Sequence, residues 1–177
     1  MLILPGETRA TVSASDLRAA AACEWGLLRA FDVMLGRAEA VPGGDDPVLE
    51  RTVALGLAHE QRVLRELVRD HPGAVREIPR PPHTREGLEA AVAATRAALA
   101  SDASVIYQAA FVAGRFAGYA DFVVRDDAGR WQVWDTKLAR EETVASLLQL
   151  ASYADQLRSM GVPVADDAVL VDRKSVV

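Results

Sequence analysis

The chain has 177 residues, half of them hydrophobic and a quarter charged, the size and balance of one globular domain with a packed core. A net charge of −5 argues against a uniformly basic nucleic-acid module but leaves local basic surfaces open. One cysteine, Cys23, excludes an intrachain disulfide and leads us to expect a reducing, cytoplasmic setting; the start Met1-Leu-Ile-Leu-Pro-Gly-Glu7 lacks a signal peptide's basic opening, and no apolar run approaches the ~20 residues of a membrane span.

In chain order, Ser13 or Ser15 is placed to cap a helix running to about Gly36. Cys23 and Trp25 fall inside it and are expected to be buried. Asp46 and Pro47 read as the N-cap and first turn of a second helix that ends near Asp70. Val75 to Ile78 is short and extended, and Arg80-Pro-Pro82 is a linker. Thr84 caps an alanine-rich third helix through about Ala100. Three apolar, partly β-branched runs follow, at Val105–Val112, Phe116–Val124 and Trp131–Leu138, and predict strands. A helical pattern over Leu147–Leu157 is closed by Gly161 and Pro163, and Ala168–Val171 is a last strand. These elements predict an α/β fold with helices on a mixed sheet. Core packing is also expected for Trp131 and Trp134, and His71 and His83, beside prolines, are expected in solvent.

The chemistry concentrates at the strand ends. A three-residue loop over Asp127–Gly129 pairs 126 with 130, and the same register sets Asp121 opposite Asp135. Opposed residues share a face about 5 Å apart, and Lys137, two past Asp135, projects from that face as well. Two close carboxylates repel, and a hard divalent cation such as Mg²⁺ relieves this. A cross-strand Asp–Lys ion pair on a solvated face explains the same spacing equally well. Gln149 and Tyr153, four apart, stack on one helix face; an exposed polar edge is the alternative for that pair. Gln108 lies opposite Asp121 if the first hairpin turns tightly at Gly114-Arg115.

Asp121, then Asp135-Thr-Lys137, then Gln149-x-x-x-Tyr153, with Gly56-Leu-Ala-His59-Glu60 upstream, resembles the RecB-like nuclease branch of the PD-(D/E)XK superfamily, which includes CRISPR-associated exonucleases and helicase-fused domains. The resemblance runs from about Ser13 to Val171. It implies a restriction-endonuclease-like core of helix, three-stranded antiparallel meander, helix and strand, with extra N-terminal helices. It further implies a metal-dependent, exonuclease-like DNA nuclease in repair, recombination or a helicase-linked system. Asp121, Asp135 and His59 would hold Mg²⁺ or Mn²⁺, Lys137 would serve water and phosphate, and Gln149 and Tyr153 would brace the site or touch DNA. A buried histidine satisfied by a neighbour is the alternative for His59; as a ligand it suits Mn²⁺ better than Mg²⁺. The single cysteine excludes the iron–sulfur cluster that some relatives carry.

Expected partners are DNA and a helicase domain in cis or in trans, without a membrane. A catalytically silent nuclease-fold binding module is the alternative, and an RNA-directed endonuclease is a third option that turns on 2′-OH contacts. Glu60 is open between a role in the site and a helix-surface ion pair. Arginines 76, 80, 85, 115, 125, 130 and 140 form either a basic rim or an ordinary solvated surface. The last six residues, Asp172-Arg-Lys-Ser-Val-Val177, match the in-frame translation of a common sequencing adapter. The expectation is therefore one domain over 1–171, cut short at its C-terminus, with 172–177 foreign to it.

Overall fold

The computed structural model describes residues 3, 9–41, 43, 44, 46–80, 82, 84–138 and 143–172. Of the expectations above, His83, Arg140 and all but Asp172 of the C-terminal six lie outside the described residues.

Each helix begins where a side chain satisfies free amide groups. Ser13 and Asp16 form a reciprocal capping box at α1 (Ala14–Ala22). Cys23 adopts an extended backbone, ends α1 and caps α2 (Glu24–Met34), its Sγ accepting from the Gly26 amide at 3.3 Å. The single helix expected through Gly36 is therefore two helices. Cys23 is exposed rather than buried, and Trp25 is 70 % exposed rather than in the core. Nothing in the local sequence marks this break, because neither Gly nor Pro interrupts the pattern between Ala22 and Glu24.

Asp46 caps α3 (Pro47–Asp70) through the amides of Val48 and Leu49, with Pro47 in the first turn, where its missing N–H costs nothing. His71 closes that helix and is partly exposed. After β1 (Val75–Glu77), Thr84 caps α4 (Arg85–Leu99). The meander follows as β2 (Val105–Ala113), β3 (Phe116–Arg125) and β4 (Trp131–Thr136). Thr143 and Ser146 cap α5 (Val144–Ser159), and β5 (Val169–Val171) completes the set.

The result is a mixed α/β fold with one five-stranded sheet in the order β1-β2-β3-β4-β5. The meander is antiparallel, and the edge strands β1 and β5 run parallel to their neighbours. Both hairpins turn where the sequence supplies glycine: Gly114 has φ +58 and Gly129 has φ +78, conformations that cost other residues a clash at Cβ. At the second hairpin the Asp126 amide donates to the Arg130 carbonyl at 2.8 Å, which fixes the 126-to-130 register.

Pleating divides the core between two sheet faces. Val63, Leu64 and Leu67 of α3 pack with Val105, Phe122, Val124 and Val171, and Trp134 packs at the edge of that cluster. On the other face α4 and α5 cover Ile106, Phe111, Val123, Trp131 and Val133. Among the described residues no helix is long and apolar enough to cross a membrane.

Candidate active site

The β3–β4 ladder pairs Phe122 with Trp134, and one step further along the same register lie Asp121 and Asp135. Phe122 and Trp134 face α3, so alternation turns Asp121, Asp135 and Lys137 toward α5. β4 ends at Thr136, short of the strand expected to Leu138, and the Lys137 amide still donates to the Val171 carbonyl at 3.1 Å.

Asp121 is partly buried, and its Oδ2 accepts from the amide and the hydroxyl of Thr136, both at 3.0 Å. Asp135 is only 3 % exposed. Its Oδ1 accepts from Gln149 Nε2 at 2.8 Å, and its Oδ2 lies 2.6 Å from Lys137 Nζ without a hydrogen bond of good geometry. Burial, and after it the negative charge of Asp121, pushes the Asp135 carboxyl up to about 6, while Lys137 pulls the other way.

α5 brings its two polar residues to the same place. Gln149 is buried, and its Oε1 accepts from Arg18 Nη1 at 3.3 Å and from Lys137 Nζ at 3.5 Å, which fixes the amide with its nitrogen toward Asp135. Tyr153 lies over Gly118: a Cβ built there would stand 2.8 Å from the phenol oxygen and 3.1 Å from Cε1. Glycine at 118 is thus what lets the ring approach the strand. Burial, then the charges of Asp121 and Asp135, raises the Tyr153 phenol well above its ordinary value, so it stays a donor. Asp121, Gln149 and Tyr153 share the wall of a cavity of about 420 Å³.

His59 sits elsewhere. Its helix packs on the opposite face of the sheet. Its Nε2 is 2.9 Å from the Val171 carbonyl and its Nδ1 is 3.0 Å from Arg62 Nη2, contacts that a neutral ring protonated on Nε2 satisfies together. It lines a separate hollow of about 170 Å³ with Arg62 and Leu138. Among the described residues no group of three or more His, Cys, Asp or Glu side chains is gathered closely enough to hold a metal ion. Asp121 and Asp135 are the oxygen donors suited to a hard cation, and His59, held by Val171 and Arg62 against the other face of the sheet, is not gathered with them.

Glu60, next to His59, is not paired along its helix. It accepts from Tyr107 Oη at 2.7 Å and from Gln108 Nε2 at 2.6 Å. Gln108 in turn accepts from Arg80 Nε and Nη2 at 3.3 and 2.9 Å. Of the seven arginines considered as a rim, Arg80 is, among the described residues, the one that lines the cavity with Asp121. Arg76, Arg85 and Arg130 pair with Asp102, Glu89 and Asp126. Arg115 and Arg125 donate to the Ala10 and Ala103 carbonyls.

Sequence reasoning missed Arg18, whose partner lies 131 positions away, and Thr136. The second carried a signal, since the residue between Asp135 and Lys137 has its amide at the strand end beside Asp121. No family model matches the chain, and no curated protein or solved structure matches it.

Proposed function

We propose that the chain is a divalent-metal-dependent nuclease that hydrolyses phosphodiester bonds of DNA, exonuclease-like, with the helix–meander–helix–strand arrangement serving as a restriction-endonuclease-like core. The observation that carries this reading is the convergence of Asp121, Asp135, Lys137, Gln149 and Tyr153 from three elements, with Asp135 buried against a second carboxylate. A buried acid facing another acid is costly unless a cation balances it. Asp121 and Asp135 would hold Mg²⁺ or Mn²⁺, and the bound ion would supply Lewis-acid polarisation of the phosphate and ease water's loss of a proton. Lys137, already beside Asp135, would direct the water and balance phosphate charge. Gln149 keeps Asp135 oriented, and Tyr153 offers a phenol donor at the cavity wall.

A second reading, a silent binding module that scaffolds nucleic acid or a helicase, is favoured by one observation. Thr136, Gln149 and Lys137 already partner the two carboxylates, while His59 is bonded to Val171. The deciding experiment incubates the protein with single- and double-stranded DNA plus Mn²⁺ or Mg²⁺ and sizes the products, for the wild type and for Asp135→Asn. Cleavage by the wild type that disappears in a folded Asp135→Asn supports the nuclease. Equal cleavage by both, or none by either alongside retained DNA binding, sinks it.

A further inference from the structure

We infer that Arg80 is a phosphate-binding residue held in position by Gln108 and Glu60, and that the cavity it shares with Asp121 takes the backbone of a single-stranded nucleic acid. This rests on the nuclease reading for the class of substrate and goes beyond it in naming how the strand is gripped.

The first observation is a distortion. Gln108 has φ +56 in the middle of β2, and it is the only non-glycine residue with positive φ among the described residues. The pairs Tyr107–Phe122 and Ala109–Ala120 continue on either side of it, so the irregular position lies directly across from Asp121. A residue with a Cβ keeps such a conformation only where its surroundings over-determine it, and these positions cluster at functional sites. Here the determining contacts belong to the side chain. Gln108 is 4 % exposed, with its nitrogen on Glu60 and its oxygen on Arg80.

The second observation is charge. Glu60 accepts from the Gln108 nitrogen and so fixes which end of that amide meets the guanidinium. Arg80 is therefore held by a neutral oxygen and lies 5.9 Å from the centre of the Tyr119 ring. Arg69, Arg76 and Arg130 face carboxylates instead. Among the described residues no carboxylate pairs directly with Arg80; Glu60 reaches it only through the Gln108 amide and Asp121 only across the cavity. The guanidinium therefore keeps donors for an anion, and its planar fork matches phosphate oxygens.

The third observation is shape. The cavity of about 420 Å³ has Arg80, Thr11, Ser15 and Tyr119 on its wall along with Asp121. That volume lies in the small-ligand range of roughly 300–1,000 Å³, enough for a nucleotide unit and too small for a duplex. Arginine for phosphate, hydroxyls for sugar and an aromatic face are the contacts that grip a single strand without reading its sequence.

The test is binding without cleavage. The probe is a fluorescein-labelled thymidine oligomer titrated with the full chain in EDTA at several salt concentrations. Arg80→Ala is expected to weaken binding about tenfold and to make its salt dependence shallower by about one ion, with Arg80→Lys between it and the wild type. Gln108→Gly removes the side chain while suiting the backbone angle. It is expected to keep or raise the melting temperature and yet weaken binding several-fold. Unchanged affinity in Arg80→Ala, or no binding by the wild type, overturns the assignment of Arg80. Unchanged affinity in Gln108→Gly overturns the positioning role. Because EDTA removes cleavage, loss of binding in Arg80→Ala stands even if the wild type never cuts DNA, and cutting by a protein whose Arg80→Ala binds normally leaves the nuclease reading intact.

Discussion

The β3–β4 hairpin carries two aspartate–cation pairs, and they behave in opposite ways. At the turn, Asp126 accepts from the amides of Arg130 and Ala128 and from the Arg130 side chain, and these bonds hold its carboxyl below the usual range. At the open end, Asp135 has Lys137 at 2.6 Å, yet burial and Asp121 push it up to about 6. The first pair is a folding device: the charged form gains from every neighbour. The second keeps a charge where folding alone would prefer none. A carboxyl perturbed in this way is a candidate for function, and the proposed cation site would give its charge a use.

The largest expected effect follows from the second pair. If Asp121 and Asp135 hold a cation, Asp135→Asn lowers metal-dependent cleavage of DNA by at least about a hundredfold, the scale of several kcal/mol of transition-state charge stabilisation. Circular dichroism unchanged from the wild type must accompany the loss. Next in size is Gly118→Ala. Its methyl group meets the Tyr153 phenol, so the ring must leave the strand. Overpacking of this kind costs about 1–3 kcal/mol, and activity should fall with it. Gly118→Ala paired with Tyr153→Phe, which removes the nearest atom, should recover part of the stability in a thermal melt.

Asp135→Asn also separates stability from activity. Folding raises the Asp135 carboxyl from its ordinary 3.8 to about 6. Between those values the folded chain keeps a proton that the unfolded chain has released. Stability from this group is therefore complete below pH ~4 and lost as pH rises through about 6. Asparagine resembles the protonated acid, so at pH 8 the variant should be more stable than the wild type by on the order of 3 kcal/mol. The gain should fade toward pH 4. Mn²⁺ should raise the melting temperature of the wild type at pH 8 and do little for the variant. A variant that melts lower at pH 8 would show that Lys137 outweighs burial.

Much of this was legible because local rules decide it. The caps at Ser13, Asp46 and Thr84, the glycine turns and the register that opposes Asp121 to Asp135 are fixed within a few residues of one another. The break at Cys23 was not legible: an extended residue between two helical runs needs no special side chain, and the exposed Trp25 sits in a pattern that reads as apolar. Arg18 on Gln149 and Arg80 on Gln108 were hidden for another reason, since both contacts join elements distant in sequence. The bonding of His59 to Val171 likewise depends on how α3 meets the end of β5.

The smallest expected effect belongs to the turn. Asp126→Ala removes the acceptor for the amides of Ala128 and Arg130. Asp126 titrates below its ordinary value in the folded chain, so its contribution is present above pH ~4 and is lost as pH falls through its folded value. The variant should melt modestly lower than the wild type at pH 7, and the gap should close in acid, opposite in sign to Asp135→Asn. The Arg130 side chain is exposed enough for salt to screen its pairing with Asp126, but the amide bonds to Asp126 hold the turn at any ionic strength. A melt in high salt should therefore preserve most of the Asp126→Ala deficit. If salt erases it, the turn is held by charge alone, and the contrast between the two aspartates is one of degree.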